Sequence, residues 1–228
     1  LKLSGDSPYP HYVLANVANT RGDKKGAVLH WGHVVSIAAS DTTYRELKNT
    51  SLYYTAMTKL ELASGAQGAD QVALGKEAAE AFKATLEANP ESPDAANLYN
   101  GWADALTLAK DTANIPQVYA GLLSSPDKAT DITMTMAGVI ATRANRVDDA
   151  LKLFELAVQK NPYNRDGLRN LAATYYGREK YQEMFAPSKK LVELDPNNYD
   201  GWMMFAYASQ GLGKNAKAPA EKKAWTDS

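Results

Sequence analysis

The chain has 228 residues, with 25 Lys plus Arg against 26 Asp plus Glu, a formal charge of −1, and hydrophobic and charged shares of 45% and 22%. That balance argues against a nucleic-acid binder, which needs a clustered basic excess, and lies well away from the apolar-poor, highly charged composition of disordered chains. The chain has no cysteine, which removes disulfides, thiolate metal sites and cysteine nucleophiles, and no run nears 18 apolar residues, so no membrane insertion is expected.

In chain order, Lys2 to Asn19 reads as a short helix or an extended arm, and Thr20-Arg21-Gly22-Asp23 as a turn. Helical spacing then puts Val28, Trp31, Val35 and Ala38 on one face of Lys25 to Ala39, and Leu47, Leu52, Tyr53, Met57 and Leu60 on one face of Thr43 to Ala63. Ser64-Gly65-Ala66-Gln67-Gly68-Ala69 reads as an inserted loop between two helices. From here a period takes over. The tetrapeptides Asn89-Pro90-Glu91-Ser92, Ser125-Pro126-Asp127-Lys128, Asn161-Pro162-Tyr163-Asn164 and Asp195-Pro196-Asn197-Asn198 space their prolines 36, 36 and 34 residues apart. Each proline disfavours helix at the residue before it and lacks a backbone donor, so each marks a helix stop. Two helical stretches fit between stops.

In the unit Asp131 to Asn164 the first helix runs from Ile132 to Thr142 and the second from Val147 to Lys160, with Ala150, Leu151, Phe154, Ala157 and Val158 on one face. Gly138, Ala150 and Ala157 let two helices approach, and Phe154 fills the space between them. With Gly138, Ala150, Phe154, Ala157 and Pro162 at repeat positions 8, 20, 24, 27 and 32, the unit resembles a tetratricopeptide repeat. The unit Arg165 to Asn198 is similar through Leu168, Leu171, Ala172, Tyr175, Tyr181, Leu191 and Pro196, and a further one begins at Tyr199 with Trp202, Phe205, Ala206 and Gly213. Upstream, Ala78 and Phe82 stand at positions 20 and 24, and the unit 93–126 starts its second helix at Pro116 and has Val118 in place of the aromatic. Pro187 and Ser188 depart from the pattern, and a bent or late-starting helix is expected there.

The resemblance implies an all-α fold, an α-solenoid of stacked antiparallel helix pairs wound into a right-handed superhelix. Residues 1–70 form an irregular segment of degenerate repeats and 71–228 the repeats proper, ending in a capping helix from Lys214 to Ser228.

Chemistry-bearing motifs are few. His30 and His33, three apart, share one side of a helix but have no Asp or Glu within a turn, so a histidine pair beside Trp31 is expected, with no metal and no cofactor. Gly75-Lys76-Glu77 and Gly213-Lys214-Asn215 lack the hydroxyl and glycine spacing of a phosphate loop. Asp148 and Asp149 are adjacent, so they diverge on a helix and suit its first turn. The chain is therefore expected not to be an enzyme. The resemblance implies instead a concave groove lined by the first helices, presenting Met136, Val139 and Arg143, then Arg169, Asn170 and Tyr176, then Met203, Met204 and Tyr207. Only Asn170 matches the clamp that grips a terminal carboxylate; Val139, Asp200 and Met204 stand where other clamp residues would be. The methionines and tyrosines suit a peptide or partner helix with apolar side chains. A non-catalytic scaffold for a protein or peptide partner is expected, the alternative being head-to-tail self-association into an oligomer or filament. Absent cysteines and a first residue other than Met lean toward an exported or envelope protein.

Overall fold

The computed structural model describes residues 7–124 and 126–215. Eleven α-helices run through them: α1 Tyr9–Thr20, α2 Lys24–Ile37, α3 Arg45–Gly65, α4 Gly68–Ala88, α5 Ala95–Leu108, α6 Ile115–Ser124, α7 Asp131–Arg143, α8 Val147–Lys160, α9 Arg165–Tyr176, α10 Tyr181–Leu194 and α11 Tyr199–Asn215. No strand occurs among the described residues. The chain forms two compact units, Leu1–Val118 and Tyr119–Ser228, divided within α6. The expected capping segment beyond Asn215 lies outside the described residues.

In the second unit the tetrapeptides Asn161–Asn164 and Asp195–Asn198 each stand between the end of one helix and the start of the next, whereas α7 is capped by Thr130, whose side chain accepts from Thr133 N. Asn161 Oδ1 accepts from Tyr163 N at 3.0 Å, turning the chain, and Asn164 Oδ1 accepts from Gly167 N at 2.8 Å, capping α9. Asp195 and Asn198 repeat the arrangement ahead of α11, at 3.2 and 2.8 Å. These are the Asx turn and the N-cap that Asn and Asp side chains favour. Asn164 Nδ2 also donates to Asp131 Oδ2 and Thr135 Oγ1, at 2.9 and 3.0 Å, tying the start of α9 to α7.

Within the pairs α5–α6, α7–α8 and α9–α10 another local device closes the turn. Lys110, Asn145 and Glu179, spaced 35 and 34 residues apart, all take left-handed backbone, with φ of 56°, 59° and 56°. The residue after each donates back to the last turn of the preceding helix: Asp111 N to Leu106 O, Arg146 N to Ala141 O and Lys180 N to Tyr175 O. This is the six-to-one closure of a Schellman motif. Gly22, with φ of 82°, makes the same turn through Asp23 N to Ala18 O. The segment before it is therefore the helix α1, folded back on α2, and not an extended arm.

The interlock expected between Gly138 and Phe154 forms. A Cβ on Gly138 would lie 2.4 Å from Phe154 Cε1, and Phe154 is 1% exposed. In the first unit Gly101 meets Phe82 in the same way, at 2.3 Å. Neighbouring helices of the second unit pack side by side from α7 to α11, and α9 also touches both α7 and α11. The first helices of successive pairs there thus form one layer.

Several expectations need correction. Of the bent or late-starting helix expected at Pro187, the late start does not occur: α10 starts at Tyr181 and runs through the buried Pro187 to Leu194. Buried Ser188 donates its hydroxyl to Met184 O, which satisfies a polar group standing where an aromatic was expected. The buried face of α2 is Ala27, Trp31, Val34 and Ala38, with Val28 and Val35 only half-buried. In α3 the buried positions are Ser51, Ala56, Thr58 and Ala63, while Leu47, Leu52, Tyr53, Met57 and Leu60 are half-buried. Small residues there allow close approach of α3 and α4. The expected inserted loop is absorbed into these two helices of 21 residues each, leaving only Ala66 and Gln67 between them.

Candidate functional site

The nine residues expected to line a groove lie on α7, α9 and α11, the layer of first helices in the second unit. On α7, Met136 and Val139 are half-buried and Arg143 is exposed in the last turn, where a cation complements the helix dipole. Thr135, one turn before Val139, is buried; it accepts from Asn164 and donates to Asp131 O at 2.9 Å.

Two contacts bind α9 to α11. Arg169 Nη2 stands 2.8 Å from Asp200 Oδ2, and the rings of Tyr176 and Tyr207 stack with centroids 5.3 Å apart at 26°. Tyr176 and Tyr207 remain 46% and 41% exposed, so stacking fixes the rings and leaves their edges to solvent. Offset aromatic pairs of this kind contribute about 0.5–1.5 kcal/mol beyond area burial. Tyr181 approaches Tyr176 edge-on at 6.4 Å. Met203 and Met204, in the first turns of α11, are half-buried. Asn170 Nδ2 donates to Asp166 O at 2.8 Å within its own helix. The surface is thus a fixed tyrosine pair, partly exposed thioethers and a neutralised ion pair.

Two buried tyrosine hydroxyls of the second unit, on α9 and α6, are strongly perturbed. Tyr175 donates to Glu155 Oε1 at 2.7 Å; burial, then that hydrogen bond, raises its phenol well above the usual range. Tyr119 donates to Asp149 Oδ2 at 3.0 Å and is pushed up to about 12, mainly by burial. Both stay neutral donors at physiological pH.

Among the open clefts of the first unit are one of about 640 Å³ beside Lys24, Glu61 and Asp70 and one of about 570 Å³ beside Tyr53, Tyr54, Asn89 and Asp94. Neither contains any of the nine residues. Sequence reasoning also missed a neighbour. His11 on α1 joins His30 and His33, its Nδ1 lying 3.2 Å from His30 Nδ1. The signal was available, since His11 and His33 stand eleven residues on either side of Gly22, and a hairpin turning there brings them level.

Solved structures resemble the chain along most of its length. A MamA crystal structure is 15% identical over 85% of this chain and 94% of its own, with a TM-score of 0.55. A tetratricopeptide repeat protein from Parabacteroides merdae is 15% identical over 97% and 80%, also at 0.55. YrrB, a TPR protein with an unusual peptide-binding site, is 15% identical over 87% and 91%, at 0.52. The chain has the tetratricopeptide-repeat fold. At this identity the likeness lies in helix packing, and the Gly138–Phe154 interlock and the recurrent left-handed turns show how this sequence achieves it. No protein-family model and no curated protein matches the sequence.

Proposed function

We propose that this tetratricopeptide-repeat chain is a non-catalytic protein-interaction scaffold whose α7–α9–α11 face binds a peptide or a partner helix through apolar side chains. The observation that carries the reading is the stacked, half-exposed Tyr176–Tyr207 pair beside Met203 and Met204. Rigid aromatic edges offer contact area at low ordering cost, and thioethers adapt to varied side chains. Asp200 neutralises Arg169, so the face lacks the clamp of cations that a free carboxylate needs. No histidine lies in the second unit, which removes the usual general base from this face. YrrB, with its unusual peptide-binding site, supports the same use of the fold.

The test is panning of phage-displayed random twelve-residue peptides against the full chain, followed by fluorescence polarisation with enriched peptides. Tyr207→Ala and Met204→Glu are expected to weaken binding about tenfold or more, the scale of an interface hot spot, with an unchanged helical circular dichroism signal. Peptides that bind both variants as tightly as the wild type would place the site elsewhere. Head-to-tail self-association is the second reading. Light scattering across a concentration series decides it, because a monomer at high micromolar concentration removes it.

A further inference from the structure

We propose that the α1–α2 hairpin carries a site for one borderline transition dication, of which zinc is the type, held by His11, His30 and His33. All three histidines of the chain come together here, though they are dispersed over 23 positions of sequence. Their ring centroids stand 4.7 Å apart for His11 and His33, 5.4 Å for His11 and His30, and 6.3 Å for His30 and His33. Zinc–imidazole bonds of about 2.0–2.1 Å put two tetrahedral ligand nitrogens about 3.3 Å apart and their ring centres about 5 Å apart. His11 Nδ1 and His30 Nδ1, at 3.2 Å, already keep that spacing.

Without a metal, one of these two nitrogens donates its N–H to the other's lone pair, so one proton holds a place that a cation can take. As placed, the three rings do not converge as a ready-made set. Closing the set needs His33 to turn inward and its centroid to approach that of His30 by about 1 Å, the difference from tetrahedral spacing. His33 is exposed, and a surface imidazole changes rotamer freely. Imidazole nitrogens select zinc, nickel and copper over the oxygen-seeking magnesium and calcium. Three neutral ligands leave the fourth position to water.

Metal binding and protonation compete for the same nitrogens. The site is separate from the proposed peptide face and does not depend on it.

The full chain is titrated with zinc chloride by isothermal calorimetry at pH 7.5, and with cobalt(II) by visible absorbance, in the wild type and in His11→Ala and His33→Ala. The expected result is one zinc per chain, weakened about tenfold or more by either substitution as a ligand is lost, with tetrahedral cobalt bands in the wild type only. Circular dichroism checks that each variant is folded, and His33→Ala, made at an exposed position, keeps the test open if His11→Ala unfolds. Absence of zinc binding up to millimolar concentration overturns the proposal. So does zinc binding that survives either substitution in a folded chain.

Discussion

Replacing Gly138 with Ala tests the packing that defines the repeat. In an ordinary helix interior this change stabilises by about 0.8–1 kcal/mol, because alanine loses less backbone freedom on folding. Here the new methyl would meet Phe154 Cε1, Cδ1 and Cζ at 2.4, 2.7 and 2.8 Å. Phe154 is 1% exposed, so its ring has no open space to retreat into, and overpacking of this kind costs about 1–3 kcal/mol. The propensity gain offsets only part of that, and a net loss of about 1–2 kcal/mol is expected. In a Phe154→Leu background the clash is relieved, and the same Gly138→Ala change should stabilise by up to about 1 kcal/mol. The coupling between the two positions is then about 2–3 kcal/mol. Urea unfolding of the four proteins, followed by circular dichroism, measures it. A stabilising Gly138→Ala in the wild-type background, or additive effects, would refute the interlock.

Four further outcomes rest on the same structure. Phe154→Ala should destabilise by about 3–5 kcal/mol, as buried aromatic truncations do, and a loss below about 1 kcal/mol in urea unfolding would contradict its core position. Asn164→Ala removes the α9 cap and the bonds to Asp131 and Thr135; a loss of about 1–2 kcal/mol is expected from the cap alone, read from the same unfolding curves. Tyr175→Phe removes the hydrogen bond to Glu155 and should cost about 1 kcal/mol, while the late-ionising tyrosines of the phenol titration, Tyr119 and Tyr175 in the wild type, fall from two to one. His11 has a folded pKa below its ordinary 6.5, so the folded chain takes up its proton less readily than the unfolded chain. The stability this contributes is present above pH 6.5 and lost as the pH falls below it. His11→Gln should flatten the fall in thermal midpoint between about pH 7 and pH 5, and an unchanged profile would show that His11 does not titrate in this way.

The period and the chief interlock are legible in sequence because proline and glycine act through the backbone itself. Pro162 and Pro196 each stand just past the end of a helix, although Pro187 lies inside one, and Gly138 opposite Phe154 is a size match visible at fixed spacing. Helix α8 is legible to its ends, since Asp148, Asp149 and Lys160 mark them. What sequence does not show depends on packing between segments. In α3 the helical spacing of large side chains points to residues that end half-buried, whereas the buried positions are the smaller Ser51, Ala56, Thr58 and Ala63. The left-handed turns at Lys110, Asn145 and Glu179 involve ordinary residues, so their recurrence is invisible by residue type. Thr135 stands one turn before Val139 on α7, and only the fold brings Asn164 over it. The spacing of Met203, Met204 and Tyr207 on α11 is readable; the stacking of Tyr207 on Tyr176 needs the helix pairing.

Hydrogen–deuterium exchange of the full chain, with and without an enriched peptide, tests the proposed binding face most directly. Slowed exchange is predicted in α7, α9 and α11, centred on the turns that carry Tyr176 and Tyr207. Protection confined to α8 and α10, with those three helices unchanged, would contradict it.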